Sequence, residues 1–248
     1  MAQIGIHFYC TLNDFIVPAL ADTGIIHNFD RKASIKDMIE SFNVPHTEVE
    51  HILVNGAAVD FNYIVRDGDR IEVFPICENF SIMPFVQLRP TLSPPLQFVI
   101  DSNLGKLARY LRLLGFDCLY RNDYNDDMVA KIASEQQRIV LTRDRALLYR
   151  KIVTHGYFVR ADKPKIQTRE VLKRFALYPL IKPLTRCIHC NGKLAETQKS
   201  RVESRLETLT KQYYDKFLIC LECDRIYWQG SHSVRIEQLI DELVEEQS

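Results

Sequence analysis

Residues 98–148, FVIDSNLGKLARYLRLLGFDCLYRNDYNDDMVAKIASEQQRIVLTRDRALL, decide the fold. With the two residues before it, the first run reads LQFVID, apolar, too short for a free-standing helix and ending in Asp101. RIVLTRD at 138–144 is a second such run, ending in Asp144, and FDCLY at 116–120 predicts a third strand between them. Helical patterns follow each strand: LGKLARYLRLLG, MVAKIASE and RALLYRK. Strands alternating with helices predict an α/β unit with a parallel sheet. In such a sheet the residues at the carboxyl ends of the strands gather along one edge, where ligand and catalytic sites form. Two acids on that edge point to a metal.

Within the first helix Leu104, Leu107, Ala108, Leu111 and Leu114 recur at helical spacing, and Gly115 suits the C-terminal cap. Lys106, Arg109 and Arg112 fall elsewhere on the wheel, either as a solvated face or as phosphate ligands, with Arg109 the foremost candidate. Asp126 and Asp127 stand at the start of the next helix, where either is a candidate N-cap as well as a metal ligand, and Asp144 has the same two readings. Three carboxylates at a strand end, a helix start and another strand end favour the ligand reading of Asp101, Asp126 and Asp144. GYFVRAD predicts a further strand leading to Asp162, a fourth acid or an ordinary loop aspartate before Pro164, and IQTREVLKRFAL predicts an amphipathic helix.

At 248 residues with 46% hydrophobic content the chain can build more than one core, so two or three domains are expected. No early segment has the pattern of a secretion signal, and no apolar run approaches the roughly 20 residues of a membrane span, so a soluble cytoplasmic protein is expected. The zero net charge conceals segregation: residues 1–97 carry 6 positive and 12 negative side chains, residues 98–183 carry 17 and 9, residues 184–248 carry 9 and 11. A basic middle holding an acidic cluster suits a polyanionic substrate steered by Lys and Arg. Cys10, Cys77 and Cys118 lie in apolar runs and read as packing residues.

The other four cysteines form two C-x-x-C pairs, Cys187 with Cys190 and Cys220 with Cys223, separated by 29 residues. In a reducing compartment this spacing favours zinc over disulfides, and four protein ligands leave no open position for catalysis. The long separation predicts an excursion between the knuckles. His189 reads as exposed rather than ligating. Tyr227, Trp228 and His232 follow the second knuckle, to pack against the ribbon or, for Tyr227 and Trp228, to stack on bases. SVRIEQLIDELVEEQS predicts a helical tail with an acidic end.

Ahead of the sheet, QIGIHFYC predicts a strand, a polar stretch follows, and Ser34 caps the predicted helix SIKDMIESF. Asn55-Gly56 between apolar runs signals a hairpin, and DGDRIEVFP supplies a closing strand. VNG at 54–56 and DGDRIEVFP at 67–75 resemble the ubiquitin-like β-grasp sulfur carriers over residues 1–76. Those carriers need a free Gly-Gly carboxyl terminus, whereas Phe74-Pro75 here runs into ICENF, so docking is expected rather than sulfur transfer. Residues 77–96, rich in proline, read as a linker in which Phe80, Met83 and Phe85 can pin the chain.

The run IDSNLGKLARYLRLLGFD, the ND-D-M-V-A-K-I-A helix start, LTRDRALL, C-x-x-C-N-G and YWQGSH together resemble the Mut-seven C-terminal RNase family. That resemblance implies a PIN-like parallel sheet flanked by helices over residues 97–183, a zinc ribbon over 184–235, a helical tail over 236–248 and the β-grasp module in front. It implies metal-dependent RNA cleavage, with Asp101, Asp126 and Asp144 matching the family's acids; their hard oxygen ligands suit Mg²⁺ or Mn²⁺ as the catalytic ion beside structural Zn²⁺, and an endonuclease is the leading expectation, with cleavage from an end left open. Asp127 and Asp162 are additional acids to test, and Lys106, Arg109, Arg143, Arg145, Tyr227 and Trp228 are the RNA-binding candidates. Expected partners are RNA, with tRNA and rRNA as candidates, and a protein for the β-grasp module. A non-catalytic RNA- or protein-binding adaptor is the competing reading, and DNA stays open because nothing in the sequence reads a 2′-hydroxyl.

Overall fold

The structure, a computed structural model, describes residues 1–76, 85–228 and 231–244, the side chains of 231–237 excepted. Cys77, Phe80, Met83, the Gln229-Gly230 pair and the acidic end of the tail lie outside the described residues, as does the His232 side chain. Contacts divide the chain into two compact units, Met1–Ser93 with Asp144–Phe158 and Pro94–Arg143 with Val159–Ser248.

The first unit begins with β1 (Ala2–Phe8) and β2 (Ile25–Phe29), then α1 (Ile35–Ser41), β3 (His51–Val54), β4 (Ala57–Ala58) and β5 (Arg70–Phe74). The sheet order is β2-β1-β5-β3-β4, with β1 parallel to β5 and its other pairings antiparallel. Alternation along β1 buries Ile4, Ile6 and Phe8 in a cluster that includes Ile35, Met38 and Ile39 of α1. Ser34 caps α1 by accepting the Asp37 amide at 3.1 Å. Asn55 and Gly56 both have positive φ, 53° and 81°, as a two-residue hairpin of the primed type requires. The sequence reading passed over β2 because only Ile25 of IIHNF is buried and Ile26 is exposed, leaving little apolar signal. Cys10 was expected to pack, but it starts a 3-10 turn just past β1 and is exposed.

The second unit opens with β6 (Gln97–Ile100), α2 (Gly105–Leu113), β7 (Asp117–Leu119), α3 (Asp126–Gln136) and β8 (Ile139–Thr142). β6 lies between β7 and β8 and pairs with both in parallel. Phe98, Val99, Ile100 and Ile139, Val140, Leu141 are all buried, the continuous apolar runs of a sheet covered on both faces. Gly115 ends α2 with φ 98°, and a Cβ there would strike the Lys182 carbonyl. After β8 come α4 (Arg145–Leu148) and β9 (Gly156–Phe158), the segment that groups with the first unit. Within that unit His46 Nε2 lies 3.0 Å from the Val153 carbonyl, and Glu48 accepts the Phe158 amide.

The chain then forms α5 (Pro164–Arg174), with Pro164 at its first turn, and the ribbon strands β10 (Leu194–Thr197), β11 (Phe217–Cys220) and β12 (Ile226–Trp228). The excursion between the knuckles contains α6 (Lys199–Val202) and α7 (Thr208–Tyr213), and α8 (Ser231–Val244) closes the described chain. The ribbon is antiparallel in the order β10-β11-β12 around a small cluster of Val202, Leu206 and Phe217. Arg169 of α5 donates to the Glu242 carbonyl of α8.

Candidate active site and metal centre

Asp101 follows the last residue of β6 and is only 4% exposed. Its amide donates to the Leu141 carbonyl, which fixes the residue at the carboxyl edge of the sheet. One carboxylate oxygen accepts the Thr142 hydroxyl at 2.8 Å and the other accepts the Ser102 hydroxyl at 3.2 Å. Among the described residues no cationic side chain pairs with it. A buried carboxylate held by neutral donors alone is an uncompensated charge, a condition that buried acids resolve by pairing or by metal coordination.

β7 runs parallel to β6, and Asp126 begins α3 after the loop that follows its carboxyl end, but among the described residues Asp101, Asp126 and Asp144 are not gathered into a group placed to hold an ion. Asn125, not an aspartate, is the N-cap of α3: its side chain accepts the Met128 amide at 2.9 Å. The capping alternative for Asp126 and Asp127 is therefore taken by their neighbour. Asp126 is half-buried and Asp127 exposed. Asp144, two residues after β8, does cap α4 by accepting the Ala146 amide at 2.8 Å. It belongs to the first unit, as does Arg145, whose guanidinium lies over the rings of Phe15 and Phe158. Arg143 pairs with Asp162 at 2.5 Å and donates to the Ala161 carbonyl.

A cleft of about 420 Å³ opens at the amino end of α2, its lining beginning two residues after Asp101 in the chain and including Asn103, Gly105, Lys106, Arg109, Tyr120 and Asp162. Lys106 and Arg109 are exposed. The Tyr120 hydroxyl donates to the Ser102 carbonyl, and a Cβ on Gly105 would meet that hydroxyl at 2.5 Å, so the glycine admits the ring that shapes the wall. The amino end of α2 borders the same space, a position where helix amides favour anions.

Cys187, Cys190, Cys220 and Cys223 bring their four sulfurs within 4.8 Å of one another, the one group among the described residues in which three or more His, Cys, Asp or Glu side chains are placed to hold an ion. Cys187 and Cys223 are 3.6 Å apart, Cys190 and Cys220 3.4 Å. Four metal–sulfur bonds of about 2.3 Å in a tetrahedron place sulfurs about 3.8 Å apart, so the donor set fits zinc. The two knuckles share one backbone design: the Asn191 amide donates to the Cys187 carbonyl and the Asp224 amide to the Cys220 carbonyl, and both residues take positive φ, 73° and 60°. The Cys190 and Cys223 amides approach the sulfurs of Cys187 and Cys220, each at 3.5 Å. Burial opposes ionisation, yet the Tyr227 hydroxyl and the amides of Cys190 and His189 draw the Cys187 thiol down to about 6, while burial pushes Cys190 up to about 12. Tyr227 thus spends its hydroxyl on Cys187 at 3.0 Å, whereas Trp228 is 38% exposed. His189 is exposed, as expected, and Cys118 is buried with its thiol pushed up by burial, the mark of a packing residue.

Arg112 corrects the helical-wheel reading. It is 2% exposed, and its guanidinium donates to the carbonyls of Cys118, Tyr120, Ile188 and His189, joining α2, β7 and the first knuckle. Asp117 begins β7 at the amino edge of the sheet, where Arg138, Arg186 and Asn191 all bind its carboxylate at 2.7–2.9 Å. The sequence reading missed Asp117, Arg138 and Asn191 as a group; the C-N-G step after the first knuckle was the one available signal.

No curated protein and no solved structure matches the chain. Two family models do: one described as Mut7-C ubiquitin matches residues 1–81, ahead of the acidic sheet, and one described as Mut7-C RNAse domain matches residues 96–240, from the start of the sheet to α8. The second model spans more than half of the sequence, and with the ubiquitin model matching the residues before it, this chain belongs to the Mut7-C RNases.

Proposed function

We propose that the chain is a metal-dependent endoribonuclease whose catalytic ion is held at the carboxyl edge of the parallel sheet, in a PIN-like arrangement. The observation that carries this reading is Asp101, a buried carboxylate with two hydroxyl donors and no counter-charge, two residues before the start of a cleft wall that Lys106 and Arg109 share. Asp101 and Asp126 supply hard oxygen ligands suited to Mg²⁺ or Mn²⁺. Asp144 is the third ligand that the T-R-D motif assigns, and Asp127 and Asp162 are the reserve acids. When bound, the ion supplies activation of water and neutralisation of charge on the scissile phosphate. The hydroxyls of Thr142 and Ser102 aim the Asp101 carboxylate, and Lys106 and Arg109 hold flanking phosphates. Arg143 and Arg145, also candidates for RNA, are committed to Asp162 and to the two phenyl rings respectively, which leaves the cleft cations as the stronger pair. The four cysteines hold zinc as a structural ion with no open position. The ubiquitin-like module serves to dock a protein.

The test is cleavage of labelled tRNA, rRNA and mRNA fragments with and without Mn²⁺ by the wild type and by Asp101→Asn, Asp126→Asn and Asp144→Asn proteins of normal melting temperature. Metal-dependent internal cleavage lost in Asp101→Asn is the expected result. Unchanged turnover by that variant would remove the site.

A further inference from the structure

Arg109 lines two clefts. Besides the one at the sheet edge, it borders a second of about 280 Å³ whose other walls are Ile188, His189, Arg225 and Tyr227. Each wall is placed by the ribbon's own chemistry. His189 sits inside the first knuckle, and Arg225 follows the second, its carbonyl accepting the Cys220 amide at 2.8 Å. One ion closing the four thiols therefore orders both. Arg112 takes the Ile188 and His189 carbonyls from α2, the helix that carries Arg109, so the helix and the knuckle keep one register.

The cations at the junction are not ion-paired among the described residues: Asp162 pairs with Arg143 and Asp224 with Arg205. Among the described residues the Lys106 and Arg109 side chains have no hydrogen-bond or ion-pair partner, and the Arg225 side chain hydrogen-bonds only the His189 ring, at 3.5 Å. Elsewhere on the same unit exposed arginines are paired at short range, Arg121 with Asp123 and Arg205 with Asp224. Exposed cations that no carboxylate pairs with are what a polyanion's backbone selects.

We propose that the ribbon is a second phosphate-binding subsite: RNA leaving the sheet edge crosses Arg109 onto the two knuckles, where Arg225 and His189 hold the next phosphates and the Tyr227 ring forms the wall. This rests on the nuclease reading and names where its substrate runs. Arg225 is exposed, and it is its backbone carbonyl, not its side chain, that accepts the Cys220 amide, so shortening the side chain should spare the metal centre.

The experiment measures binding of a short labelled single-stranded RNA to the full chain carrying Asp101→Asn, which blocks cleavage, across a salt series. Arg225→Ala is expected to weaken binding about tenfold and to lower the slope of log K against log salt by about 0.7, the contribution of one phosphate on a single strand. Arg225→Lys should recover much of the slope, and Arg225→Glu should weaken binding further. Zinc content equal to that of the parent confirms that the knuckles are intact. If Arg225→Ala binds with unchanged affinity and slope while Arg109→Ala weakens both, the RNA does not cross the ribbon and the inference fails with the nuclease standing. If the wild type neither binds nor cleaves RNA, both readings fall.

Discussion

The two edges of the parallel sheet treat their carboxylates in opposite ways. At the amino edge Asp117 is surrounded by two guanidinium groups and an amide, and although burial works against its charge, Arg138, Asn191 and Arg186 hold its carboxyl below the usual range. At the carboxyl edge Asp101 is buried as well, yet meets only hydroxyls. The same side chain is paired with cations at one end of the sheet and meets only hydroxyls at the other. A structural acid brings its own cations. An acid kept without them is the one we propose takes its cation from outside.

Substitutions at the two edges should therefore dissociate activity from stability. The largest effect is expected from Asp101→Asn, a loss of cleavage greater than the roughly 10- to 100-fold typical of an outer-shell partner, with the urea midpoint retained. Thr142→Val, which removes one of the hydroxyls aiming that carboxylate, should fall within that 10- to 100-fold range. Asp117→Ala should do the reverse: it leaves Arg138 and Arg186 without their acid, costs about 3–5 kcal/mol in urea denaturation and leaves the metal requirement of the remaining folded enzyme intact. A stable Asp117→Ala protein without activity would erase the distinction.

Acid should find the same asymmetry. Because the folded pKa of Asp117 lies below its unfolded value near 3.9, its contribution is fully present above that value and is lost as pH falls through the folded pKa. Melting curves between about pH 5 and pH 2 should show a steeper decline for the wild type than for Asp117→Asn. Chelators sharpen the comparison further. EDTA applied briefly should stop cleavage reversibly, Mn²⁺ restoring it, whereas stripping the cysteine ribbon should lower the melting temperature, since Asn191 and the first knuckle are bound to Asp117 and Arg112. The smallest effect is expected from Asn125→Ala, about 1 kcal/mol from the lost cap of α3, read as a small shift in the urea midpoint.

Much of this architecture was legible because it is written locally. LQFVID and RIVLTRD show as strands by length and apolar run, the Asn55-Gly56 turn by its need for positive φ, and the cysteine pairs by spacing. Arg112 was illegible for a physical reason: a helical wheel reports which positions leave one face, but not that the ribbon would pack on another and offer carbonyls to a guanidinium there. Asp117, Arg138 and Asn191 come from three distant stretches and carry no period. β2 hid behind a half-exposed five-residue run. Asp144 was read together with Asp101 because both end strand-like runs, and the sequence held no sign that the segment it opens would join the first unit.

That segment has a consequence for how the chain can be divided. Asp144–Phe158 groups with the ubiquitin-like half and the chain rejoins the other unit at Val159, so the polypeptide passes between the two units three times. A single protease nick in the proline-containing stretch would leave two fragments, each carrying a share of the leading half. Neither could be shuffled into another protein as a finished bead on a string.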